Sequence, residues 1–201
     1  MKHIVPKVPW ISQLIKYPTG CESVSAVMAM QYLGYTGTVD DFIDNHLPLG
    51  KVPEKGEDGK YYGDDPWKCF PGTPYSKEFG WGCFAPVLEE AIAGIPGFTT
   101  ETFYGLTLDE LKSYLDQDIP LVFWGTIGFA APYQSITWTT PENREIIWTC
   151  PMHFTLLIGY DDEGFFFNDP TSGEGAYFPR DRVEAADLSQ GSQVMRIKRC
   201  E

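Results

Sequence analysis

A cysteine stands at the start of a predicted helix, in the stretch PTGCESV of residues 18–24. Thr19 and Glu22 are spaced as in a capping box, in which two side chains satisfy free backbone N–H groups at a helix start. The pattern therefore predicts Thr19 as the N-cap and Cys21 in the first turn. The partial positive charge of that turn favours the thiolate of Cys21, which is the nucleophilic form of the side chain.

The chain has three histidines that could serve as the base for such a thiolate. A base is needed because a lone cysteine near an apolar helix more often serves packing than chemistry. His3 lies in a terminal segment, and His46 sits at the end of a predicted helix, where a cation is favoured and a capping role is expected. His153 opens the apolar strand MHFTLLIGY. A half-buried, inert histidine is common at such a strand start, so His153 needs supporting signals.

A predicted β-hairpin supplies those signals. The strand MHFTLLIGY, the turn DDEG and the strand GFFFNDP follow one another, so Asn168 and Asp169 return towards the His153 end of the sheet. His153 follows Cys21 by 153 − 21 = 132 residues, and Asp169 follows His153 by 169 − 153 = 16. The order of nucleophile, base and orienting group, with about 130–150 residues between Cys and His, is typical of papain-type enzymes.

These residue types together support nucleophilic attack on a carbonyl carbon. The thiolate of Cys21 attacks, while the imidazole of His153 stabilises it and then donates a proton to the leaving amine. Asp169, or alternatively Asn168, holds the ring in one tautomer. The backbone N–H of Cys21 is one predicted oxyanion-hole donor, and Gln13 is the candidate for the second.

Composition indicates a folded globular protein and limits its partners. The 201 residues suit one domain, with a hydrophobic fraction of 43% and an aromatic fraction of 15%. The net charge of -13, from 15 Lys and Arg against 28 Asp and Glu, disfavours nucleic acid and anionic membranes. We expect a monomer that acts on a peptide or protein substrate with basic or apolar positions. We expect no cofactor and no metal.

The sequence carries no signal for membrane insertion. No apolar run approaches the roughly 18 residues that are needed to span a bilayer. The opening MKHIVPKVPWISQLIKYP is interrupted by Lys and Pro too often for the core of a signal peptide. We expect an extracytoplasmic location if the sequence is that of a trimmed mature form, and a cytoplasmic location otherwise.

The predicted elements place helices before strands. After the helix at Cys21, helices are predicted at DDFIDNHL, APVLEEAIAG and LDELKSYLDQ. Strands are predicted at IPLVFWGTI, REIIWTC, MHFTLLIGY, GFFFNDP and QVMRIKR. This segregation predicts an α+β fold with a mostly antiparallel sheet packed on a helical lobe. We expect one domain over residues 1–201, with the helical lobe over about 1–118 and the β lobe over about 119–201.

Two further features refine this outline. Capping signals mark the second helix, at Thr38 with Asp41, and the fourth, at Thr107 with Glu110. Residues 50–82 are rich in Gly and Pro, which resist helix and strand alike. That segment also carries many aromatic residues: Tyr61, Tyr62, Trp67, Phe70, Tyr75, Phe79 and Trp81. We therefore predict an ordered, packed loop that lines a functional surface.

The five cysteines leave two oxidation states open. If Cys21 is the free thiol, Cys69 with Cys83 and Cys150 with Cys200 are two conceivable disulfides. Five reduced cysteines in a cytosolic protein are at least as compatible with the sequence, because spacing does not fix connectivity.

With these motifs the chain resembles the papain-fold cysteine peptidases related to the double-glycine leader peptidases that process bacteriocin precursors, in their stand-alone bacterial branch. The resemblance rests on Gln13 followed by YPTGCESVSAVMAMQYLG, on MHFTLLIGYD and on FNDP, and it extends from about Val8 to Asp169. It implies Cys21 as nucleophile, His153 as general base and acid, Asp169 as orienting residue and Gln13 as oxyanion-hole donor. It also implies a papain-like fold, a bacterial origin and often an extracytoplasmic location.

Three alternative functions use the same residues differently. A metal site at Cys150 and His153, with Asp169, lacks the paired ligands that zinc sites show. A catalytically silent module would bind a peptide or a cell-wall component through the aromatic loop. A thiol-dependent acyl transferase would differ from a peptidase only in the nucleophile that resolves the thioester. The motif C-G-[SA]-C-[WY] of papain itself is absent, so the resemblance supports the catalytic residues more than the substrate.

Overall fold

The computed structural model describes residues 2–200. Its α-helices are α1 (Cys21–Tyr32), α2 (Val39–Asn45), α3 (Ala85–Ala93), α4 (Leu108–Leu115) and α5 (Arg180–Ser189), and a 3₁₀ turn spans Ile127–Phe129. The first strands are β1 (His3–Ile4), β2 (Leu49–Gly50), β3 (Glu54–Lys55), β4 (Tyr61–Tyr62), β5 (Phe70–Pro71) and β6 (Phe98–Tyr104). The later strands are β7 (Leu121–Thr126), β8 (Tyr133–Thr139), β9 (Glu145–Cys150), β10 (Met152–Tyr160), β11 (Gly164–Asp169), β12 (Gly173–Pro179) and β13 (Gln193–Arg199).

The main sheet is antiparallel, with the strand order β12-β11-β10-β7-β13-β6, and β1 pairs with the far end of β10. Strand β7 is buried at every residue, because β10 and β13 flank it and helices cover it. The predicted α+β fold with a mostly antiparallel sheet is confirmed.

Helix α1 lies in the centre of the molecule. It packs against β7, β10 and β13 on the sheet and against α2 and α3. Its first ten residues are all buried, and they include small and apolar side chains on every face. A helix that is apolar all round is stable only when it is covered on all sides. The chain therefore fixes the start of α1 by packing against the rest of the core.

The capping predictions have different outcomes. Capping boxes form at Thr38 with Asp41 and at Thr107 with Glu110, as predicted. The predicted box at Thr19 with Glu22 is wrong, because Gly20 is the N-cap of α1 and no side chain caps it. The Thr19 hydroxyl instead donates to backbone carbonyls of residues 73–76, the nearest at 2.9 Å.

Residues 50–82 and the β8–β9 hairpin form a second, smaller assembly. Strands β3, β4, β8 and β9 make a separate sheet, in which β4 and β8 run parallel. A second hydrophobic core lies on it, built from Trp138, Ile146 and Trp148. The prediction of an ordered, packed segment is confirmed for the greater part of its aromatic residues, although Phe79 is 57% exposed.

Several elements differ from the sequence prediction. Strand β6 lies within the predicted helical lobe, yet it pairs along its whole length with β13 in the main sheet. Its sequence FTTETFY has a polar centre between aromatic ends, which fits an edge strand but provides no apolar run. Strands β8 and β12 and helix α5 were not predicted either, since their burial is intermittent. The single-domain organisation stays a prediction.

Two further observations concern the thiols and the helices. All five cysteines are free, so neither conceivable disulfide forms in this structure. Within residues 2–200, no helix combines the length and apolar character that crossing a membrane requires.

Candidate active site

The first turn of α1 places Cys21 beside β10 of the main sheet. Gly20 precedes it in a tight turn, where an added Cβ would lie 2.9 Å from the Cβ of Tyr17 and 3.0 Å from that of Pro74. A side chain at residue 20 would therefore force the helix start away from its neighbours. Cys21 itself is 8% exposed and packs against β10, where the backbone N–H of Phe154 donates to its sulfur.

The charge state of Cys21 differs from the sequence expectation. Burial raises the pKa of the Cys21 thiol well above its ordinary value, and the nearby Glu22 carboxylate raises it further. The hydrogen bond from Phe154 opposes both effects but does not outweigh them. Desolvation and a like charge thus favour the thiol of Cys21 over its thiolate, against the effect of the helix dipole.

His153 and Asp169 form a buried pair at the start of β10 and the end of β11. His153 Nε2 donates to Asp169 Oδ1 at 2.8 Å, and both side chains are almost completely buried. The β10–β11 hairpin brings them together, as its sequence predicts. Because an ionised carboxylate can only accept, the bond fixes the proton on Nε2. Nδ1 is then the ring nitrogen that is left for proton transfer.

Asp169 is held in its charged form by its surroundings. Burial alone would raise its pKa, but hydrogen bonds from His153 and Thr171, together with the charge of His153, lower the pKa to about 2. Thr171 donates from both its backbone N–H and its hydroxyl to Asp169 Oδ1, each at 2.8 Å. The carboxylate therefore stays ionised over the whole neutral range, as an orienting residue requires.

Asn168 makes different contacts from Asp169. Its Nδ2 donates to the carbonyls of Val8 and Pro9, and its Oδ1 accepts from the N–H of Gly175. It thus holds the N-terminal segment against β11 and does not orient His153. The Trp10 ring strengthens the same attachment by donating to the Asp169 carbonyl at 2.8 Å.

This attachment also positions Gln13. The Gln13 N–H donates to the Pro170 carbonyl, and its side-chain Nε2 donates to the Pro18 carbonyl at 3.0 Å. Gln13 is 4% exposed, and its Oε1 has no hydrogen-bond partner within residues 2–200. Nε2 keeps a second hydrogen that it can direct at a ligand.

Glu22 is the residue whose position the sequence analysis missed. It is 1% exposed and turns into the protein, where Oε2 accepts from the Cys21 thiol at 3.3 Å and Oε1 accepts from the Cys83 N–H at 3.0 Å. Burial raises the pKa of Glu22 to about 7, although these hydrogen bonds oppose the shift. Its spacing from Thr19 concealed this role, because the same spacing fits a capping box.

Cys21, His153 and Asp169 lie near one another in the structure, but not every contact of a catalytic triad is present. Cys21 adjoins Phe154, the neighbour of His153, and the charge of Asp169 acts on its sulfur. Of the hydrogen bonds in the described part of the chain, none joins the Cys21 sulfur to the His153 ring. His3 pairs with Asp118 at the surface, and His46 is the C-cap of α2, so neither approaches this group.

An aromatic pocket of about 260 Å³ lies beside the site. Its lining includes the residues Trp67, Phe84, Arg144, Trp148, Met152 and Gln193. Gly82 connects it to the cysteine, since a Cβ there would lie 2.7 Å from Glu22 Oε1, 3.4 Å from Trp148 and 3.5 Å from the sulfur of Met152. Met152 directly precedes His153, so one wall of the pocket continues into the candidate base.

No cluster of three or more His, Cys, Asp or Glu side chains that could hold a metal ion occurs between residues 2 and 200. Cys150 lies on β9, opposite Tyr133 of β8, in the smaller sheet. The arrangement as a whole can present a sulfur nucleophile, an oriented imidazole and amide donors to a carbonyl group.

Comparison with known proteins places these features in a family. Residues 5–187 match the Peptidase C39 like family. A crystal structure of a candidate C39-like peptidase from Bacillus anthracis superimposes with a TM-score of 0.82 at 27% sequence identity, covering 100% of this chain and 99% of that one. No match was found among curated proteins.

Proposed function

The chain belongs to the Peptidase C39 like family, and from this we propose that it is a cysteine peptidase that hydrolyses peptide bonds through a thioester on Cys21. The family and the fold support the general class of cysteine peptidase. The triad of Cys21, His153 and Asp169 is our specific assignment.

One observation supports this proposal more strongly than the other observations do. It is the buried hydrogen bond between His153 Nε2 and Asp169 Oδ1, in which His153 lies on β10, the strand that packs against α1. A buried histidine with a fixed tautomer, one residue from the contact of Cys21, has the geometry of a general base. A purely structural histidine would not need an ionised partner that two further hydrogen bonds hold in place.

The proposed reaction has two stages. The thiol proton of Cys21 passes to His153 Nδ1, and the thiolate attacks the carbonyl carbon of the substrate. His153 then gives that proton to the leaving amine, so the C–N bond breaks and a thioester forms. Water, activated by His153, then attacks the thioester and releases the acid and the thiol. Asp169 stays ionised throughout and stabilises the imidazolium.

The oxyanion of each tetrahedral intermediate needs two donors. Cys21 is the first residue of α1, and its N–H lies in the turn where helical N–H groups have no partner within the helix. Gln13 Nε2 is the second proposed donor, and the hydrogen bonds to Pro18 and Pro170 hold it in position.

Replacing Gln13 by alanine should lower kcat by about 10²–10³ and leave KM nearly unchanged, because the lost hydrogen bond forms mainly in the transition state. Steady-state hydrolysis of one peptide by both enzymes tests this. Replacing the exposed neighbour Leu14 by alanine is the matched control. Equal kcat values for the Gln13 variant and the wild type would exclude Gln13 from the oxyanion hole.

The aromatic pocket suggests which substrates fit. Trp67 stacks on Phe84 at 4.3 Å between ring centroids, and the Arg144 guanidinium lies over Trp67 at 5.4 Å. Such a lining favours an apolar or aromatic side chain. We propose that the pocket holds one substrate side chain near the scissile bond, while the net charge of -13 attracts neutral or basic peptides.

A digest of a mixed peptide library should therefore yield cleavage sites that are enriched in aromatic or large apolar residues at one position. Replacing Trp67 by alanine should lower kcat/KM for those peptides by roughly tenfold, because the substrate side chain loses buried contact area. Replacing the exposed Phe79 by alanine should have no effect. Sites without any enrichment would contradict the pocket assignment.

The same digest distinguishes hydrolysis from acyl transfer. Hydrolysis leaves a free carboxyl end on each product, whereas transfer joins that end to an added amine such as glycinamide. We expect free acids when the amine is present at low concentration. If only amine adducts formed, the protein would be an acyl transferase.

A further inference from the structure

Glu22 lies against the proposed nucleophile, and its carboxylate is buried beside the Cys21 thiol. Its two oxygens are divided between two partners, the Cys21 thiol and the Cys83 N–H. The side chain is almost completely buried, and no Lys, Arg or His within residues 2–200 forms an ion pair with it. A buried carboxylate without a cation is costly unless it shares or gains a proton.

Two cysteines contact this carboxylate, Cys21 through its thiol and Cys83 through its backbone N–H. Cys21 neighbours it on α1, and Cys83 faces it from the segment before α3. Asp169 acts on the Cys21 sulfur from β11, and Cys69 acts on Cys83. Burial raises the pKa values of Cys21 and Cys83 well above the ordinary thiol range and that of Glu22 to about 7. Each negative charge in this group therefore opposes the next.

The backbone at Gly82 approaches the Glu22 carboxylate closely. A Cβ on Gly82 would lie 2.7 Å from Glu22 Oε1, and Gly82 has a φ of +132, which other residues rarely adopt. The close approach keeps Oε2 directed at the cysteine, because Oε1 is confined between the Gly82 backbone and the Cys83 N–H.

We propose that Glu22 is a catalytic residue that shares one proton with Cys21 and so acts as an acid–base partner of the nucleophile in addition to His153. This inference rests on the proposed function and deepens it, because it names the group that accepts the thiol proton when the Cys21 thiolate forms.

The proton transfer conserves charge within the pair. The S–H bond of Cys21 breaks, an O–H bond forms at Glu22 Oε2, and the electron pair stays on sulfur. The pair carries one negative charge before and after the step, on the carboxylate first and on the thiolate afterwards. His153 Nδ1 then takes this proton from Glu22 and donates it to the leaving amine, so each proton is accounted for.

This sharing predicts a particular pH dependence of Cys21 reactivity. Protonation of Glu22 removes the like charge beside the sulfur, so thiolate forms more readily in that state. Between the two apparent pKa values of the pair, the number of bound protons is constant and the thiolate fraction does not change with pH. Reactivity should therefore rise up to about pH 7, level off, and rise again at higher pH.

The experiment is the rate of Cys21 alkylation by iodoacetamide from pH 5 to pH 10, read by mass spectrometry of the peptide that contains Cys21. The wild type should show the two-step profile. Glu22→Gln keeps an acceptor for the Cys83 N–H but carries no charge, so it should show one step with a lower midpoint. The variant should react about tenfold faster at pH 8.5 for each unit by which the midpoint falls. Glu90→Gln, on the exposed face of α3, is the matched control and should retain the wild-type profile.

A purely structural Glu22 would give different results. A single step in the wild type, or the same midpoint in Glu22→Gln and wild type at equal melting temperature, would overturn the proposal. If Glu22→Gln does not fold, the wild-type profile alone decides. The assay uses no substrate, so it is independent of the peptidase assignment. A two-step profile in a protein that cleaves nothing would refute the peptidase and keep the pair, whereas Cys21-dependent cleavage with a one-step profile would do the reverse.

Discussion

Replacing Cys21 by alanine should abolish peptide hydrolysis while leaving the fold intact. The sulfur is the proposed attacking atom, so no thioester can form without it, and kcat should fall by roughly five to six orders of magnitude. The fold should tolerate the change because alanine fits the first turn of a helix and only one buried sulfur is lost. Hydrolysis rates and melting temperatures of both proteins test the two halves of the prediction.

The matched control for this substitution is Cys83→Ala. Cys83 is equally buried, contacts the same Glu22 carboxylate through its backbone, and would keep that contact as alanine. We expect it to retain most of the activity. Retained turnover in the Cys21 variant would remove Cys21 as the nucleophile, and the binding module would then become the leading hypothesis.

Replacing Asp169 by alanine should lower kcat by about 10²–10⁴, a smaller effect than the loss of Cys21. His153 would remain in place, but its Nε2 would lose the hydrogen bond that fixes the tautomer. The charged Asp169 also stabilises the fold, because its pKa is lowered to about 2. This contribution is complete above the ordinary carboxyl pKa of about 3.9 and is lost as the pH falls towards 2. At neutral pH the variant therefore lacks the whole of this contribution, so turnover of both proteins is compared well below the melting temperature of the variant.

Asn168→Ala is the matched control for the Asp169 variant. Asn168 is the adjacent residue, is equally buried, and bonds the N-terminal segment instead of His153. Its loss should lower stability and shift the position of Gln13, with a smaller effect on kcat than the loss of Asp169. If the Asp169 variant turned over like the wild type, Asp169 would not be the orienting residue.

Much of the fold follows from local signals that act over one element. The capping boxes at Thr38 and Thr107 form because their residues are exposed and no other partner competes for them. The strands of the β10–β11 hairpin are long apolar runs joined by a tight turn, so their pairing is also local. Strand β6 could not be predicted this way, because its place depends on β13, about ninety residues later in the chain.

The site shows the same division between local and distant determinants. The order of Cys21, His153 and Asp169 was recognisable in the sequence, and the hairpin joins the last two. The role of Glu22 was not recognisable, because its partner Cys83 lies 61 residues away and the competing capping pattern was local. The thiol pKa also depends on burial, which sequence spacing does not report.

The two hydrophobic cores differ in size, so we expect the parts of the site that rest on them to differ in rigidity. The main core surrounds α1 and fixes the nucleophile, whereas the smaller one rests on Trp138, Ile146 and Trp148. Because local unfolding free energy follows the amount of buried apolar contact, the smaller sheet opens at a lower free energy than the molecule as a whole. We therefore expect the wall of the aromatic pocket that rests on the smaller core to open locally while α1 and the β10–β11 hairpin stay folded.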